Sequence, residues 1–349
     1  VAVSTSIAVA HNGTPFVTAY PWSGAGFGTK KSDPGTLPAG NAIGSSFTPA
    51  GDALAVAHIT TPFITAYPWS GSGFGTKFTN PGTLPASTAS AAAFSADGAA
   101  LAVAHQTTPF ITAYPWSGSG FGTKFTNPGT LPTLDGLGVA FSGSSQVALA
   151  HDTSPFITAY PWSGAGFGTK FTDPGTLPTG IGRSASFTPA GDALAVAHST
   201  TPFITAYPWS GSGFGTKFTN PGTLPASTGR GAAFSADGAA LAVAHSTTPA
   251  VSIYPWSGSG FGTKFTNPGT LPALGLSIAF SADSSAVAVS DNSSPYVVAY
   301  PWSGAGFGTK FTDPGTLPAA GGGVSFGTGT AAAGISISVV MHHFKLLRS

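Results

Sequence analysis

Residues 91–131 read AAAFSADGAALAVAHQTTPFITAYPWSGSGFGTKFTNPGTL. AAAFS (91–95) is a short apolar strand and Ala96-Asp97-Gly98 a tight turn. In LAVAH (101–105) larger residues alternate with alanine, so Leu101, Val103 and His105 share one face of a second strand. FITAY (110–114) is β-branched and aromatic, a third strand. Pro115 to Gly120 reads as a connecting loop, FGTKFT (121–126) as a fourth strand, and Asn127-Pro128-Gly129-Thr130 as a type II turn. The whole unit recurs. Its YPW tripeptide ends at Trp22, Trp69, Trp116, Trp162, Trp209, Trp256 and Trp302, at intervals of 46 or 47 residues. Seven copies of a four-strand unit with that period predict an all-β, seven-bladed β-propeller of four-stranded antiparallel blades.

Composition agrees and narrows the chemistry. The 349 residues include 49 Gly, 30 Pro and no Cys; only 7% are charged, and every acid is Asp. Too few strong helix formers remain for a helical fold. A net charge of +1 argues against nucleic-acid binding, and no apolar run is long enough for membrane insertion. Without cysteine there is no disulfide or thiolate site. The numbering starts at Val1 without an initiator Met, as expected of a processed product or part of a longer chain.

With the strands lettered a to d from the axis outward, the N-terminus supplies a strand b (7–11) with no strand a before it, and the C-terminus a spare strand a (323–326). Pairing of these terminal strands is expected to close the ring. The propeller then spans 1–330, leaving 331–349 as a C-terminal tail or extra strand. In that tail Ile335, Ile337, Val339 and Met341 alternate, as expected either of a strand added to another subunit or protein in an assembly or of a segment that folds back on its own propeller or is disordered. A lysine in every strand d (Lys30, Lys77, Lys124, Lys170, Lys217, Lys264, Lys310) reads as protection of an exposed edge.

The succession AFSADG, LAVAH, ITAY resembles the WD40-like and YVTN-type propeller repeat over residues 1–330, departing from it where Pro and Trp follow the strand c aromatic. More narrowly, YPWSGSGFGTKFTNPGTLP resembles repeat proteins of bacteriophage virions and tails. That second resemblance implies a structural or host-surface-binding role.

Candidate sites follow from asymmetry and from aromatic rings. His11, His58, His105, His151, His198, His245 and Asp291 end the b strands, but one residue per blade does not converge on an ion, so local bonding to Ser/Thr is expected and no metal. The SGSGFG loops lack the features of a phosphate cradle, no Ser-His-Asp set stands out from the repeat, and no cofactor is implied. Trp22 and its six equivalents sit after the strand c tyrosine, where an indole either covers the blade end or stacks on a sugar. The position four residues before the last Phe of strand a holds Ile43, Ser90, Leu137, Arg183, Arg230, Leu276 and Gly322, so two adjacent blades bring Arg183 and Arg230 near the central opening, either as a solvated pair or as a site whose guanidinium groups hold an anion or carboxylate. The resulting expectation is a non-enzymatic structural and binding module of an extracellular or virion assembly, with protein partners that include itself. The alternative is a propeller lectin binding a surface glycan.

Overall fold

The computed structural model describes residues 4–328, which form seven sheets around an axis. Blade three shows the rule, with strands Ala89–Phe94, Ala100–His105, Ile111–Ser117 and Gly120–Phe121 pairing in chain order. Its a–b turn is set by Gly98 at φ +68°, where a side chain would be strained, and by Asp97, whose carboxylate accepts from Ser95 Oγ and, at 3.0 Å, from Ala99 N. The Ser95 hydrogen bond most of all, and then that from Ala99, holds the Asp97 pKa below its ordinary value against burial, which raises it.

Alternation in strand b explains how blades stack. Leu101 and Val103 face blade two and pack on Ala53, Ala55, Ala57, Ile64 and Ala66. Ala100, Ala102 and Ala104, on the other face, receive Val139, Val147, Leu149 and Tyr160 of blade four. A large face thus meets a small one at every interface, and the core is seven such interfaces. The seven strand c tyrosines are fully buried, and each hydroxyl donates at 2.7–2.8 Å to a threonine carbonyl of the preceding blade, as Tyr114 does to Thr83.

The ring closes through its termini. Gly321–Thr328 pairs antiparallel with Ser4–His11, with Ile7 opposite Phe326 and Val9 opposite Val324. Blade one is therefore built from both ends of the chain.

Four local readings differ from the structure. YPWS is strand, not loop: Pro115 lies opposite Ala100 in the ladder, and its missing N–H is tolerated because only a two-residue strand flanks it outside. FGTKFT is correspondingly reduced to Gly120–Phe121 followed by an irregular edge, held by Gly122 N to Pro115 O and Phe125 N to Ala113 O. Blade seven has only three strands, with a single Trp302–Phe307 bridge in place of the fourth. The lysines lie beyond the short outer strand. Each Nζ bonds the Asp or Asn three residues on, so they brace the turn rather than guard a strand edge.

Phe125 reaches from that edge onto Trp162 of the next blade, with ring centroids 5.1 Å apart. Six of the tryptophans meet three phenylalanine edges in this way. Trp69 meets only Phe47 and Phe74, because blade one has Lys31 where the other blades have Phe. Lys31→Phe is expected to restore the third contact and to stabilise by about 1 kcal/mol, raising Tm by roughly 2 °C. Thermal and urea unfolding of the variant check this; no gain would mean that the Lys31 bond to the Gly71 carbonyl compensates for the missing ring.

Candidate functional site

The site is built on β-bulges. Strand a loses register with strand b between Gly182 and Ser184 and again between Gly229 and Gly231, leaving Arg183 and Arg230 as extra residues opposite no partner. The same slip isolates Ile43, Ser90, Leu137 and Leu276, and in blade one falls across 322–323. A bulge turns its residue out of the ladder. The slot whose residue ranges from glycine to arginine is thus the one the fold directs at the axis.

Strand a of all seven blades walls an axial cavity of about 580 Å³, lined by Arg183 and Arg230, by Ile43, Leu137 and Leu276, and by serines that include Ser90. Gly138 permits the close approach of strands there; a Cβ on it would stand 2.8 Å from the Arg183 carbonyl oxygen. Among the described residues no Asp, His or Lys lines the cavity, and the two guanidinium groups are its charged side chains. Arg230 Nε donates to Ser246 Oγ at 2.6 Å. Arg183 Nε is buried without a hydrogen-bond partner, as is Ser90 Oγ. Burial, and then the charge of Arg230, draws the Arg183 pKa below its ordinary value. An unfilled donor beside a second cation is an arrangement that an anionic oxygen would complete.

Asp135 and Asp152 of blade four lie outside the wall, in segments that in other blades carry the mouth residues Leu274, Gln106 and Asn292. Burial, followed by the Asp152 charge, raises the Asp135 pKa.

The b-strand histidines are wholly buried, and each Nε2 lies 2.8–3.1 Å from a strand c hydroxyl, as His105 does from Thr112. In blade six His245 Nδ1 donates to the Thr247 carbonyl at 3.0 Å, which leaves Nε2 to accept from Ser252. Asp291 replaces the imidazole in blade seven and accepts from the backbone N–H groups of Ala273, Leu274 and Ser293. Among the described residues no three of His, Cys, Asp and Glu come together.

Trp22, Trp69, Trp116, Trp162, Trp209, Trp256 and Trp302 are only 4–8% exposed, their rings under phenylalanine edges. No indole face is open to a sugar, because the preceding blade's outer segment covers it. Ile335, Ile337, Val339 and Met341 lie outside the described residues. What residue-by-residue reading missed is the bulge. Its one visible signal was the slot of strand a whose residues differ most in kind, from glycine to leucine to arginine.

No family model and no curated protein matches the chain. Solved structures do. A Lactobacillus plantarum protein is 15% identical with a TM-score of 0.71, over 93% of this chain and 99% of that one. A periplasmic gluconolactonase of Pseudomonas aeruginosa is 14% identical with a TM-score of 0.70, over 93% and 99%. A Bacteroides uniformis protein provisionally described as a 6-phosphogluconolactonase is 11% identical with a TM-score of 0.69, again over 93% and 99%. At such identities the likeness is one of fold.

These likenesses correct the expected kinship with bacteriophage virion and tail proteins, since the matching propellers include a periplasmic gluconolactonase and two proteins provisionally described as 6-phosphogluconolactonases. The expectations of a non-enzymatic structural or host-surface-binding module, of a lectin and of a virion location fall with that kinship. Poverty of charge had been read as absence of chemistry, yet this architecture serves catalysis in its structural neighbours.

Proposed function

We propose that the protein is a lactonase-type hydrolase whose reaction takes place in the axial cavity. The observation that carries this reading is the pair of bulge arginines in a cavity with no opposing carboxylate, one of them with an unfilled Nε donor. Hydroxide from solvent adds to the lactone carbonyl carbon, and the oxyanion that forms is held by the guanidinium donors of Arg183 and Arg230. Collapse breaks the ring C–O bond. The ring oxygen takes up a proton from solvent and leaves as a hydroxyl, and the product hydroxy acid, as its carboxylate, pairs with the same two cations. With no titratable base on the wall among the described residues, catalysis is electrophilic, and the rate should rise with hydroxide concentration rather than follow an enzyme carboxylate. A place outside the cytoplasm accords with the periplasmic gluconolactonase of this fold.

Ring opening of glucono-δ-lactone and δ-decalactone, followed in a pH-stat, tests the proposal. Arg183→Gln and Arg230→Gln are each expected to lower kcat about 100-fold. Asp135→Asn should leave kcat unchanged. Hydrolysis of neither lactone above the uncatalysed rate, or full activity in both arginine variants, would overturn it.

A further inference from the structure

The bulge residues, taken in order around the axis, run Leu137, Arg183, Arg230, Leu276, Gly322, Ile43 and Ser90. Both arginines are thus flanked by leucine, with isoleucine on the far side, and Leu274 adds an apolar side chain at the mouth. Wall hydroxyls are few and mostly engaged. Ser184 Oγ accepts from Ala232 N at 3.2 Å, Ser277 Oγ from Val324 N at 3.4 Å, and Ser45 Oγ bonds Ser325 Oγ at 2.9 Å. The side-chain amides Asn12, Gln106 and Asn292 are exposed at the mouth.

A polyhydroxylated ligand here would exchange water for leucine and isoleucine around most of its hydroxyls, a loss without return. An alkyl or aryl group loses nothing by the same transfer and gains about fourfold in affinity per buried methylene. We infer that the cavity selects lactones, and the hydroxy acids they open to, that carry an alkyl or aryl body, with the acid head on Arg183 and Arg230 and the body against Leu137, Leu276 and Ile43. This inference rests on the lactonase reading for the lactone itself, whereas its statement about the acid is one of binding alone.

Calorimetric titration with 5-hydroxydecanoate and with gluconate separates the two. The alkyl acid is expected to bind at least about tenfold more tightly, and the advantage should grow along a series of 5-hydroxy acids of increasing chain length on the unmodified protein. Leu137→Asn combined with Leu276→Asn, with folding checked by circular dichroism, should erase most of that advantage while leaving gluconate binding in place. Arg183→Gln should weaken both acids. Equal or tighter binding of gluconate, no binding of either acid, or affinity independent of chain length would overturn the inference. Selective binding of 5-hydroxydecanoate without hydrolysis of either lactone would uphold it and overturn the lactonase reading instead. Hydrolysis of both lactones with indifferent binding of the acids would do the reverse.

Discussion

Lowering the pH from 7 to 4 is expected to unfold the protein, with stability beginning to fall near pH 6.5. His11, His58, His105, His151, His198 and His245 are fully buried, and desolvation lowers each imidazole pKa from 6.5 to about 4. An unfolded chain takes up these protons around 6.5, whereas the folded chain resists them until about 4. Between those values the unfolded state binds more protons, so acidification favours it; above pH 6.5 the histidines contribute no slope. The effect is about 2 kcal/mol per histidine at pH 5, and for six it is on the order of 10 kcal/mol, comparable to the whole stability of an ordinary domain. Urea unfolding followed by tryptophan fluorescence at several pH values measures the slope. His105→Gln keeps a polar group near Thr112 without the titration and should remove about one sixth of it. Constant stability from pH 7 to pH 5 would show that the imidazoles are not held neutral by burial.

Loss of the terminal strand is expected to be as severe. Val324 is 5% exposed and packs with Ile7, Val9, Trp22, Ala286, Ala288 and Val297, and Phe326 stands 5.0 Å from Trp22. A chain ending at Ala320 would expose that cluster and leave Ser4–His11 with an unpaired edge beside the axis. It should be recovered as aggregate or as a swapped oligomer. Val324→Asp, which buries a carboxylate with no cation in its cluster, should cost about 4 kcal/mol or more and lower Tm accordingly. Circular dichroism and light scattering on both variants decide the matter; a monomeric, native-like truncated chain would mean that the ring does not depend on its seam.

Much of the architecture is legible in the sequence because it rests on short-range regularities. Two-residue alternation in LAVAH marks a strand whose faces differ in size, Asp-Gly marks the a–b turn, and the recurrence of YPW counts the blades. Closure is legible as well, since an unmatched strand b at one end and strand a at the other leave few ways to complete seven blades. Arg183 and Arg230 stood out because a repeat makes any departure conspicuous.

What the sequence did not reveal depends on residues about one blade apart. Trp162 is buried by Phe125 of the preceding blade, and nothing in the local YPWS motif says that its indole is covered. Pro115 belongs to a strand because its outer neighbour is too short to need the missing donor, which becomes visible only once the sheet is assembled. The bulge that turns Arg183 towards the axis is a mismatch between two strands and so is a property of neither alone. Local pattern therefore determined the inner strands, the number of blades and the closure of the ring. Tertiary structure decided which rings are buried, which polar atoms are left unpaired and what faces the axial cavity, because burial and unmet hydrogen bonds are set by whatever the neighbouring blade places against each residue.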